Sequence, residues 1–292
     1  MAAVARCNSA MGLGMVLAPL VSSLAARCGR GARAAVALAA LLSAVQLAVE
    51  MRTLRETRLE GEPPRRGSAN PLSFLQLFTS GKRMRRLSTI LALQCAVDGK
   101  ILQDQLSVVQ MFHFWDLDKR SLWTSAFGGA IIVGGQLTDR LVSLLGGPDA
   151  FLSAAHAASA AAFLAYSRGC FWLGVLFLIV GQQRRTPTIS WMLSECEGLG
   201  LGRGEIVAMT ANLRAAVETV GPLAYGVAAA AAARRGKPAL VFLVPAALAV
   251  VAEAAHAMTP PAAAAPAGTP ASTPARTVGS TPADCSEPSS RG

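Results

Sequence analysis

Charge is scarce in this chain. Asp, Glu, Lys and Arg make up 15% of its 292 residues, against about 25% in average soluble domains. Acidic residues are absent until Glu50. That opening, with its Ala, Ser and Arg, also fits an organelle transit peptide, but the apolar length of residues 8–26 favours a retained helix. Cysteine occurs at 7, 28, 95, 170, 196 and 285, never as C-x-x-C and never with His at ligand spacing. That spacing argues against a metal site and against a disulfide framework. The histidines at 113, 156 and 256 stand apart in sequence and read as incidental. No nucleophile elbow, phosphate loop or pair of catalytic carboxylates occurs, so neither an enzyme nor a cofactor is expected. The net charge of +10 comes without the aromatic and basic pattern of a nucleic-acid surface, so no nucleic-acid partner is expected.

What the chain has instead is long apolar runs. The clearest cover residues 87–111, 122–145, 150–166, 170–193, 206–232 and 238–258, and two more cover 8–26 and 34–53. A helix rises about 1.5 Å per residue and needs roughly 20 residues to cross about 30 Å of hydrocarbon. Eight such segments predict an all-α, polytopic transmembrane bundle of about eight spans, with the lipid bilayer as its first partner. Ala and Gly throughout the segments suit close helix packing in lipid. Trp115, Trp123, Trp172 and Trp191 lie near segment ends, where interfacial anchors are expected.

The organisation has four parts. Residues 1–53 hold two spans, 54–86 form a basic connection, 87–258 form a six-helix bundle, and 259–292 are rich in Pro, Ala, Ser, Thr and Gly. That tail cannot bury an apolar face and is expected to be disordered. Within the connection, residues 71–78 read as a short amphipathic piece lying along the membrane surface. With a cytosolic N-terminus, inside loops carry 16 Lys and Arg and outside loops nine. The balance predicts both termini and the 54–86 connection on the cytosolic side, which leaves the choice between plasma and organelle membrane open.

Several motifs recur in order along the chain. Gly14-x-x-x-Ala18-Pro19-x-x-Ser22 resembles the G-x-x-x-G-P-x-x-G pattern in the fifth helix of major facilitator superfamily antiporters. Glu56-Thr57-Arg58-Leu59 is similar to the Glu-Thr-Leu that follows that family's sixth helix. Asn70-Pro71-Leu72 resembles the approach to the seventh helix in tetracycline-resistance-type drug/proton antiporters. Gly135-Gln-Leu-Thr-Asp139-Arg140 resembles the G-x-x-x-D-R of the loop after the eighth helix, with Leu141, Val142 and Ser143 where the family has Gly-Arg-Arg. Gly221-Pro222 sits where the eleventh helix has Gly-Pro. The resemblance implies a chain equivalent to helices five to twelve, and a secondary active transporter of a small solute, with protons as the candidate coupling ion. It also implies that the first four helices and the main cytosolic gate motif lie outside this sequence. The expectation is then a truncated product, a chain that works with a partner chain supplying the missing helices, or a non-transporting membrane protein that interacts with another transporter.

Ionisable residues within spans cost roughly 2.5–3.5 kcal/mol at the helix centre and call for a partner or a purpose. The third span carries Gln94, Asp98, Lys100, Gln103, Asp104 and Gln105. Lys100 and Asp104 are four apart and share a face. Gln94, Asp98 and Gln105 fall within about 40° of one another on a helical wheel. These residues either line a cavity, with Asp98 or Asp104 relaying protons, or form a neutralised pair near a helix end. Arg214 and Glu218, also four apart, either face a cavity and meet an anionic group or fix the helix depth as a snorkelling pair. Gly14, Pro19, Gly135, Asp139, Arg140, Gly221 and Pro222 are the candidate gating residues. Pro19 and Pro222 can bend their helices or are simply tolerated. Asp139 either accepts hydrogen bonds at a helix N-terminus or is a solvated loop charge. Gln182-Gln183-Arg184-Arg185 interrupts the sixth span just before Pro187, marking either its cytosolic end or a break that lines a cavity.

Overall fold

The computed structural model describes residues 12–21, 24, 31–53, 70–97, 100–195 and 197–259. These belong to one compact unit, Met1–Thr259. Expectations resting on Cys7, Cys28, Cys196, Cys285, the Glu56–Leu59 motif, Asp98 and the tail beyond Thr259 lie outside the described residues. Every described element is helical.

In chain order the helices are α1 (Gly12–Val21), α2 (Gly31–Thr53), α3 (Leu75–Thr79), α4 (Lys82–Val97), α5 (Lys100–Phe112), α6 (Leu117–Leu144), α7 (Pro148–Ser167), α8 (Phe171–Gly181), α9 (Arg185–Glu195), α10 (Arg203–Arg234) and α11 (Leu243–Ala257). Short 3-10 turns precede α3, α9 and α11. Among the described residues, three segments are long and apolar enough to cross a membrane: Pro148–Ser167, Arg203–Arg234 and Pro238–Ala257.

Local chemistry sets the boundaries. Asp116 caps α6 by accepting the N–H of Lys119 at 2.7 Å. Gly146 and Gly147 take φ of 83° and 141° in the turn into α7, and Pro148 opens that helix where no intrahelical donor is needed. Gly236, with φ 66°, closes α10 in the left-handed conformation that glycine adopts without strain.

Two of the expected spans each hold two described helices. Within 87–111 the structure describes α4 as far as Val97 and α5 from Lys100; Asp98 and Gly99 between them lie outside the described residues. The 170–193 segment is α8, a 3-10 turn at Gln182–Arg184, and α9. Pro187 has no N–H to donate and falls in the first turn of α9, where none is required. The 71–78 piece is a 3-10 turn running into α3. It docks on α4 and α10, with Leu77 fully buried and Leu72 and Leu75 exposed. Asn70 caps it through Leu72 N–H at 2.9 Å, and Asn212 of α10 donates to Ser73 Oγ at 3.1 Å.

α7 packs against α8 and α11, α11 against α4, and α6 against α8. The buried side chains form two apolar cores. One is aromatic, built around Trp123, Phe127, Tyr166, Phe171 and Phe242. The other holds Leu77, Met84, Leu87, Leu91, Met192 and Met209. Trp115 and Trp123 turn into the aromatic core, whereas Trp172 is exposed. Glycine permits the closest crossings: a Cβ on Gly12 would lie 2.9 Å from the Gly128 carbonyl of α6, and Ser125 of α6 donates to the Val16 carbonyl of α1 at 3.1 Å.

Candidate functional site

Gln94 lies where the buried face of α4 passes from one core to the other, beside Cys95 of the second and three residues before Val97 of the first. A layer of buried polar side chains converges there from four places: Gln94 on α4, His156 and Ser159 on α7, Arg184 and Thr188 at the α8–α9 break, and the part-buried Glu253 on α11. An apolar interior tolerates such groups only when they are hydrogen-bonded, and here they bond one another.

The Gln94 amide nitrogen lies 3.0 Å from His156 Nε2, 3.1 Å from the Arg184 carbonyl oxygen and 3.2 Å from Thr188 Oγ1. The opposite imidazole nitrogen, His156 Nδ1, is 2.8 Å from Glu253 Oε2. Glu253 Oε1 accepts from Ser153 Oγ at 2.6 Å. Arg184, 1% exposed, donates through one terminal nitrogen to Ser159 Oγ at 2.9 Å and to the Gly181 carbonyl at 2.6 Å. Ser159 in turn donates to the Ala155 and Gly181 carbonyls. The carbonyls of Gly181 and Arg184 belong to the turn where α8 stops and α9 starts, so side chains take up backbone groups that a continuous helix would use internally. His256 stacks on Trp191 and meets the His156 ring edge-on at a 6.4 Å centroid distance.

One end of the layer is stitched by basic residues of α4. Arg83 pairs with Glu195 at the end of α9, and Arg86 donates to the Met258 carbonyl just past α11. The start of α4 and the ends of α9 and α11 therefore share one side of the bundle.

The sequence-predicted residues separate. Gln94 is in the layer. Asp98 lies outside the described residues, as do the side chains of Lys100 and Gln103. Asp104 is exposed on α5 and Gln105 half-buried. Arg214 and Glu218 pair at 2.7 Å on α10, with 42% and 31% of their side chains exposed. Gly14 is exposed and Pro19 half-buried on α1. Gly135, Asp139 and Arg140 lie within the last turns of α6 rather than in a loop, Gly135 buried and the other two exposed. That helix continues to Leu144, so Asp139 sits near a C-terminus and not at an N-terminus. Gly221 and the exposed Pro222 lie inside the continuous helix α10.

His156, His256 and Glu253 are the residues that sequence reasoning passed over, whereas Arg184 belongs to the Gln182–Arg185 interruption noted in the sequence. His156 is not incidental: both its ring nitrogens are engaged. Glu253 is a carboxylate inside an apolar segment, and His156 lies in another. The rule that singled out the third and seventh spans applies equally to both. Among the described residues no group of three His, Cys, Asp or Glu could hold a metal ion.

Compared with known proteins, the chain matches no family model, no curated protein and no solved structure.

Proposed function

We propose that the chain is an integral, multi-pass membrane protein of about eight spans and a secondary transporter of a small solute, similar in plan to the later helices of a major facilitator superfamily antiporter. The observation that carries this reading is the polar layer at the break between α8 and α9. Ionisable residues within apolar helices mark substrate and ion pathways, and transporter sites gather at discontinuous helices whose free backbone groups face the site. Arg184, His156 and Glu253 meet Gln94 and Thr188 at such a break. No step of this work calls for a cofactor or for bond-breaking chemistry; the site binds, releases and changes the side to which it is open.

A second reading, in which the chain works against a partner chain, draws support from Arg214 and Glu218. The pair lies about 16 Å along α10, inside a segment long and apolar enough to span the membrane, yet both side chains are part-exposed. Lipid is a poor neighbour for such a pair, whereas a water-filled cavity or a second protein is a good one.

The test is access. In a chain whose cysteines are all replaced by serine, Thr188→Cys places a thiol in the layer. A membrane-impermeant maleimide applied to right-side-out and to inside-out vesicles is expected to label it from both faces. Labelling from one face only, or from neither, contradicts transport through this layer.

A further inference from the structure

His156 and Glu253 form a buried acid–base pair with an open end. The imidazole side chain is 0% exposed and the carboxylate 34%, so the pair is reached from outside the bundle through the carboxylate. Resting on the transport reading above, we propose that this pair binds the proton that drives transport, and that the Gln94 amide passes its protonation state to the break between α8 and α9.

The geometry of Gln94 supplies the second half. Its amide nitrogen has two hydrogens but faces three acceptors: His156 Nε2, the Arg184 carbonyl and Thr188 Oγ1. Its buried Oε1 has no hydrogen-bond partner, although a buried amide oxygen normally has one. This orientation suits a neutral imidazole, which accepts at Nε2 from Gln94 and donates from Nδ1 to Glu253. When the pair takes up one proton from water, the imidazole carries N–H at both nitrogens and the carboxylate stays its acceptor. Nε2 then needs an acceptor, and Gln94 Oε1 is the group at hand. Turning the amide satisfies Oε1 but withdraws the donor from the Arg184 carbonyl and Thr188, the groups that fix the α8–α9 turn. Release of the same proton to water on the other side restores the first arrangement; no other bond is made or broken.

The charged and titratable groups around the pair are few. His256 lies on α11 beside Glu253, Arg184 enters from the α8–α9 turn, and Arg86 reaches the end of α11 from α4. α7 faces the pair with the hydroxyls of Ser153 and Ser159.

The Thr188→Cys chain reads the proposal directly. The ratio of labelling rates from the two faces cancels the ionisation of the thiol itself. Between about pH 5.5 and about pH 8.5, a range that brackets imidazole titration, that ratio is expected to change by about tenfold or more. Glu253→Gln should hold it constant, and so should His156→Gln. Glu253→Asp, which keeps a titratable carboxyl, should retain the change with a displaced midpoint. Full pH dependence in Glu253→Gln overturns the proposal, as does a constant ratio in the parent chain that still labels from both faces. Labelling from neither face instead overturns the transport reading on which the proposal stands.

Discussion

The side-chain amide of Gln94 donates to the backbone carbonyl of Arg184 at 3.1 Å, across 90 residues of chain. The bond joins the end of α4 to the turn where α8 gives way to α9. The amide thus braces the interruption between α8 and α9. Leucine at position 94 keeps the volume and removes the amide, so that the Arg184 carbonyl, Thr188 and His156 each lose one hydrogen bond. A buried polar group left unsatisfied costs about 1–3 kcal/mol. Gln94→Leu should therefore unfold at a lower temperature in detergent micelles, with a loss of that order; an unchanged midpoint would show that the brace contributes nothing.

The crossing of α6 and α8 depends on one glycine. A Cβ on Gly134 would overlap the Ile179 carbonyl, a backbone atom that cannot swing aside, whereas nothing lies within 4 Å of a Cβ on Gly129. Gly134→Ala should destabilise by about 1–3 kcal/mol, and Gly129→Ala should stay within about 0.5 kcal/mol of the parent. Parallel thermal melts of the two variants check the contrast. Equal behaviour would mean that the helices do not approach this closely.

Arg214 and Glu218 neutralise each other on α10 at 2.7 Å. Glu218→Gln leaves an arginine alone in an apolar segment, a change worth roughly 2.5–3.5 kcal/mol at a helix centre. Membrane insertion of the single variant should fall, and the double variant Arg214→Gln/Glu218→Gln should recover it. A glycosylation-tag assay of insertion measures both. Failure of the double variant to recover would point to a role for Arg214 beyond its pairing.

Tyr225 of α10 reaches the Ala96 carbonyl of α4 at 3.0 Å, one residue before α4 ends. Tyr225→Phe removes only the hydroxyl and is expected to cost about 0.5–1.5 kcal/mol. Amide exchange at the end of α4 should quicken more than exchange at its start; uniform acceleration along α4 would speak against a local tie.

The longest helices were legible in the sequence. Residues 150–166 and 206–232 stand out by length and apolarity, and the structure has Pro148–Ser167 and Arg203–Arg234 there. The 170–193 run is apolar too, but apolarity does not report continuity. Two glutamines and two arginines just before Pro187 were the sign of its interruption, and the sequence left open whether they marked a span end or a break that lines a cavity. The site was half visible for a related reason. Reading pairs four apart finds Arg214 with Glu218, which lie on the surface of α10. His156 and Glu253 are 97 residues apart, and only the packing of α7 on α11 brings them together. Gln94 was visible because an amide in an apolar run is conspicuous by itself.

The central claim is that the polar layer carries a solute across a membrane. Purified chain in proteoliposomes, with an imposed pH gradient, can be exposed in turn to small cationic, anionic and neutral solutes while the current is recorded on a solid-supported membrane. The account predicts a current evoked by one class of solute and lost in Arg184→Gln and in Glu253→Gln. Currents equal to those of empty liposomes for every class would contradict it.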